Sequence, residues 1–205
     1  VHDFMPTLKA MGVKWIKLLG FGQQDDINAC RVLIENGIEP VVRLYSERPH
    51  PHYVPSRDLI ARYVAVGVHY FEGGNEPNLI EEWDHNAWLP GNQSIQCAFQ
   101  WYNFRAKCRG AGGYPLTYAL APAEDSPTSL FYERFFLETL AHIQADISAQ
   151  TMADYFNRCV IASHPRPFNH PIDYVENSFG FRGYEFLSDT MRRLYAVSIP
   201  QIATE

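Results

Sequence analysis

The run Tyr70-Phe71-Glu72-Gly73-Gly74-Asn75-Glu76-Pro77-Asn78-Leu79 concentrates residue types that can do chemistry. An apolar stretch ends in a carboxylate beside an amide side chain, and a proline follows at once. Proline fixes its own φ and steers the residue before it toward extended backbone. Glu76 is therefore expected extended, with its carboxylate aimed, while Asn75 can donate to a ligand hydroxyl. A second carboxylate, Glu205, closes the apolar run Ile199-Pro200-Gln201-Ile202-Ala203-Thr204. Carboxylates at strand ends are suited to general acid and base work.

Cations lie close by in the pattern. Lys17 and Arg43 sit inside apolar strand-like runs. Strand alternation puts Glu72 on the same face as Glu76, and an inward carboxylate needs a partner. The expected partner is Arg43, one strand away. His164 and Arg166 lie in Ser163-His164-Pro165-Arg166-Pro167-Phe168-Asn169-His170-Pro171. His50, His52 and His170 occupy loops of the same rim, but no His-x-x-x-His spacing exists, so no metal site and no cofactor are expected. Glu124 and Asp125 read as a solvated acidic lip. Cys30, Cys97, Cys108 and Cys159 form no CxxC pair. Cys97 and Cys108 share one helix roughly 16 Å apart, too far for a disulfide, so buried free thiols are expected.

The elements that must position these residues alternate. Helices are read over 3–11, 25–36, 56–66, 93–109, 129–144, 152–156 and 184–195. Strands are read over 14–19, 40–45, 68–73, 115–120, 160–163 and 199–204. Asp3 and Ser56 are the expected N-caps, and Gly37 a C-cap. Six strands, each reached through a helix, predict a parallel sheet covered on both faces. An open doubly wound sheet and a (β/α)8 TIM barrel both fit. No GxGxxG or GxxxxGK[ST] opens a helix, which weakens the nucleotide-binding form of the first. Long loops rich in His, Pro, Trp and acids follow the strands, so chemistry belongs at their C-terminal ends.

The strand that ends in Asn75-Glu76, extended from Phe71 to Leu79 and followed by Trp83, resembles the fourth strand of clan A glycoside hydrolases, most of all the β-xylosidase type. The resemblance implies a (β/α)8 barrel of α/β class whose nucleophile ends strand seven, where Glu205 stands. The strand at Trp15 then counts as the second, and the chain, 1–205, is one partial catalytic domain with strands two to seven present and strands one and eight missing. A retaining glycosidase acting on β-linked oligo- or polysaccharide is implied, with Glu76 as acid/base and Glu205 as nucleophile about 5–5.5 Å away. Such enzymes carry an Arg near the end of strand two; Lys17 holds that place, with Arg43 one strand over to supply the charge. They also show His-x-Tyr after strand six; here His164 is followed by Arg166 in the Tyr place, where it can bind the Glu205 carboxylate. Asn75 and His164 are expected to bind substrate hydroxyls, and Tyr45, Trp83 and Trp88 to stack on sugar rings. The alternatives are a non-catalytic carbohydrate-binding TIM barrel, and a metal-assisted barrel enzyme with Glu76 as base.

Composition narrows the partners. Of 205 residues, 46% are hydrophobic and 20% charged, ordinary globular usage that excludes disorder. The net charge of -6 leaves no basic excess to neutralise phosphates, so no nucleic-acid partner is expected. No apolar run approaches the roughly 20 residues of a membrane span. Aromatic residues reach 14%, which suits either core filling or ring-shaped ligands. The chain starts at Val1 and stops at Glu205, and both ends read as cuts through a longer barrel. Expressed alone it is expected to be poorly soluble and inactive, with strand edges exposed.

Overall fold

The computed structural model describes residues 2–45, 54–84, 88, 91–147, 151–167, 170–174 and 179–204. Glu205, His50 and His52 lie outside the described residues. Among the described residues, six strands alternate with helices: β1 (Trp15–Gly20), β2 (Glu39–Leu44), β3 (Tyr70–Glu72), β4 (Tyr114–Leu116), β5 (Ile161–Ser163) and β6 (Gln201–Ala203). The helices are α1 (Met5–Ala10), α2 (Gln24–Glu35), α3 (Arg57–Val64), α4 (Gln93–Gly110), α5 (Tyr132–Asp146), α6 (Met152–Phe156) and α7 (Tyr184–Tyr195). β1 to β4 form one parallel sheet in chain order, and β5 pairs parallel with β6. A parallel bridge between Leu116 and Val160 links the two. This is an α/β fold with parallel strands, as the alternation requires.

Local chemistry sets the helix ends. Ser56 caps α3 by accepting from the Leu59 N–H at 3.1 Å. Thr151 and Asp154 close a capping box at the start of α6. Asp3 does not cap α1; it lies in a 3-10 turn, His2–Phe4, and Phe4 holds the cap position without a side-chain bond. α5 begins later than the apolar spacing suggests. Ser126 and Ser129 close a turn on each other, and Asp125 accepts the Phe131 N–H at 2.9 Å, which holds that stretch out of the helix.

Alternation along the strands sorts the apolar residues into two regions. Val42, Leu44 and Phe71 point outward and pack with Ile27, Cys30, Ile60, Tyr63 and Phe104 from the helices. Val41, Leu116, Val160 and Ala162 point the other way and pack together with Ile202. Trp15 of β1 meets Tyr70 of β3 at 5.2 Å between ring centroids, and Tyr70 stacks on Tyr114 of β4 at 5.6 Å. Side chains of β1 and β3 thus meet across β2 on this inner face, as they do on the concave side of a curved sheet. The four cysteines are buried and free. Burial pushes the Cys30 thiol up to about 12, with Asp26 adding to the shift.

Candidate active site

The concave face carries its charges at the C-terminal ends of the strands. Glu72, the last residue of β3, has no exposed surface. Register places Arg43 of β2 beside it, yet the ion pair forms with Lys17 of β1, Nζ to Oε2 at 2.9 Å. Thr204, just past β6, donates its hydroxyl to Glu72 Oε1 at 3.3 Å. The expected Glu72–Arg43 pair is thus corrected. Curvature brings Lys17 across an intervening strand, while the Arg43 guanidinium turns up to donate to Asn75 Oδ1. Asn75 in turn donates to Glu82 Oε1 at 2.8 Å.

Glu76 follows at the start of the loop after β3, only 7% exposed. Its φ is +26°, not the extended geometry expected before proline. A non-glycine residue in this region carries strain on the order of 1–3 kcal/mol and persists only where its surroundings over-determine it. The surroundings here do so. The Leu79 N–H donates to the Glu76 carbonyl at 2.9 Å. Trp83 Nε1 donates to the Pro77 carbonyl at 2.6 Å. Asn78, fully buried, donates to the carbonyls of Ala121 at 2.8 Å and Leu130 at 3.1 Å, and accepts the Ala121 N–H at 3.0 Å. Gly73, just upstream, lies so close to Phe104 that a Cβ there would meet the ring at 2.7 Å.

The carboxylate of Glu76 is held from β5. His164 Nδ1 lies 2.8 Å from Oε1, and Arg166 donates to the same oxygen at 2.9 Å. An ion-paired carboxylate only accepts, so the His164 proton sits on Nδ1. Both bonds fall on Oε1, and none of the described contacts falls on Oε2. Arg166 binds Glu76; its expected contact with Glu205 involves a residue outside the described ones.

The remaining candidates separate. Tyr45 is 42% exposed at the end of β2, with its ring 4.7 Å from Phe21 at the end of β1. Trp83 is 1% exposed, and it packs under the loop against Trp88. That corrects its expected place on a sugar ring: the indole N–H, needed to tie down Pro77, pulls the ring inside. His170 stacks on Tyr174 at 3.8 Å. Among the described residues, no group of three or more His, Cys, Asp and Glu side chains is placed to hold a metal ion. No described helix is long and apolar enough to cross a membrane. Thr204 and Phe21 escaped the sequence reading. The signal for Phe21 was present in the alternation Trp15, Lys17, Leu19, Phe21, which carries the inward face of β1 one step past the strand.

No family model matches the chain, and no curated protein matches it. Among solved structures it is similar to a D-psicose 3-epimerase from Clostridium cellulolyticum H10, solved with D-tagatose. The TM-score is 0.51 at 10% identity, over 97% of this chain and 78% of that one. At that identity the likeness shows the fold, a parallel α/β arrangement with a TIM-barrel neighbour. The expectation of a retaining glycoside hydrolase is corrected here: the solved structure it is similar to is a sugar epimerase, and no family model supports a glycosidase.

Proposed function

We propose that this chain belongs to a carbohydrate-acting barrel enzyme that moves a proton on a monosaccharide, as an epimerase or isomerase does. The observation that carries the reading is the Glu76 carboxylate. It is buried at a strand end and clasped on Oε1 by His164 and Arg166, with no described contact on Oε2. The epimerase likeness and the sugar bound in that structure support it.

In this reading Glu76 Oε2 takes a proton from the carbon beside a sugar carbonyl. The C–H electron pair becomes a C=C bond, and the carbonyl π pair moves to oxygen as an enediolate. The Arg166 guanidinium stands beside the reacting carboxylate as a fixed positive charge near the developing anion. The proton then returns to carbon and restores the carbonyl. His164 holds the carboxylate in line, and Asn75, itself oriented by Arg43 and Glu82, meets a hydroxyl.

The test is exchange of a carbon-bound hydrogen. D-tagatose is incubated with the protein in D2O, and loss of the proton signal beside the carbonyl is followed by NMR. The wild type is expected to exchange it, and Glu76→Gln to lose at least a hundredfold, the usual contribution of a positioned base. Absence of exchange in the wild type, or exchange unchanged in Glu76→Gln, overturns the reading.

A further inference from the structure

Resting on the proposed carbohydrate chemistry, we infer that Phe21 and Tyr45 form the platform on which the apolar C–H face of a sugar ring lies. The inward set of β1 is Trp15, Lys17 and Leu19, since Trp15 and Lys17 both reach β3 across the concave face. The inward set of β2 includes Val41 and Arg43. Alternation carries these columns to Phe21 and Tyr45, one inward step above the level of Leu19, Arg43 and Glu72 and two above Lys17. The Tyr45 N–H still donates to the Gly20 carbonyl at 2.9 Å, so the parallel ladder extends to this level.

Phe21 is 51% exposed, although a large apolar side chain loses free energy in water. Its backbone is nevertheless fixed on every side. The Phe21 N–H donates to Asp26 Oδ2 at 2.8 Å, within the capping box of α2. The Gly22 N–H donates to the buried Tyr63 hydroxyl at 3.0 Å, and Arg62 donates to the Gly22 carbonyl at 3.0 Å. At Gly20 a Cβ would meet Val42 at 2.6 Å, so the chain turns in close contact with the sheet. Gly22 completes the turn at φ +76°. A rigid mount under two exposed, mutually tilted rings offers apolar area at little ordering cost. Leu19, also exposed on the same column, extends the apolar wall downward.

The geometry divides recognition between two chemistries. Polar groups at Asn75 and Glu76 meet hydroxyls, while Phe21 and Tyr45 meet carbon-bound hydrogens. The ligand class is therefore a sugar taken up in its ring form rather than an acyclic polyol, which has no flat C–H face; the ring C–O bond breaks, with the anomeric hydroxyl proton passing to the ring oxygen, before the free carbonyl supports proton transfer.

Binding is measured by calorimetry on the full protein carrying Glu76→Gln, with D-tagatose and D-sorbitol as probes. Phe21→Ala and Tyr45→Ala are each expected to weaken D-tagatose binding roughly tenfold, the factor that corresponds to about 1.4 kcal/mol. Phe21→Trp keeps it, and D-sorbitol binds weakly to every form. Phe99→Ala, on an exposed helix face elsewhere, serves as the control and leaves D-tagatose binding unchanged. Unchanged D-tagatose binding in both alanine variants, equal weakening by Phe99→Ala, or no D-tagatose binding at all overturns the platform. Platform-dependent binding without hydrogen exchange in the wild type overturns only the proton-transfer reading. Exchange with platform-independent binding overturns only the platform.

Discussion

Replacing Lys17 by Met tests the claim that the concave face is a desolvated interior. Glu72 has no exposed side-chain surface, and Lys17 shows 19%. Removing one member of a buried ion pair leaves the other charge unmatched and typically costs about 3–5 kcal/mol. Because Lys17 keeps some contact with water, the lower end applies, about 3 kcal/mol. The Thr204 hydroxyl bond to Glu72 survives the change but cannot neutralise the charge. For a chain of this size, that loss lowers the melting temperature by about 6–12 °C. Urea unfolding followed by circular dichroism gives the free energy, with an unchanged slope as the sign that only stability moved. Adding Glu72→Gln to Lys17→Met removes the stranded charge and keeps an acceptor for Thr204, so the double variant recovers most of the loss. A cost below about 1 kcal/mol for Lys17→Met, or a double variant as unstable as the single, refutes the picture of an interior pair.

Other perturbations follow from the same contacts. Gly73→Ala drives a methyl into the Phe104 ring and costs about 1–3 kcal/mol in urea unfolding; Phe104→Leu in the same chain recovers part of it. Ser56→Ala removes the α3 cap and costs about 1 kcal/mol by thermal melting. Burial raises Cys30 from its ordinary 9.0 to about 12, so the neutral thiol's contribution is complete below pH 9 and lost as the pH climbs toward 12. Native protein is expected to resist a thiol reagent at pH 8 at all four cysteines and to react fully once unfolded, as read by absorbance.

Alternation of helix and strand was legible where an element is bounded by a glycine or a cap, as α2 is by Gly37 and α3 by Ser56. β3 and its trailing carboxylate stood out for the same reason, since Glu72, Gly73 and Pro77 are costly anywhere but at the end of a strand. Partner choice was not legible. Neighbouring strands suggest Arg43 for Glu72, but curvature, which no local pattern carries, puts Lys17 nearer. The rule for a residue before proline gave Glu76 the wrong backbone because tertiary bonds at Pro77, Asn78 and Leu79 outweigh a local steric preference. Trp83 looked like a rim aromatic because its role, a hydrogen bond to the Pro77 carbonyl, depends on a turn that sequence spacing does not reveal.

Asn78 has a mechanical consequence. Its side chain ties the loop after β3 to Ala121 and Leu130 in the segment after β4. Two loops that would otherwise fluctuate separately move as one body, and Glu76 rides on it. An insertion or deletion between Ala121 and Leu130 will be felt at the Glu76 carboxylate, although none of those residues touches it.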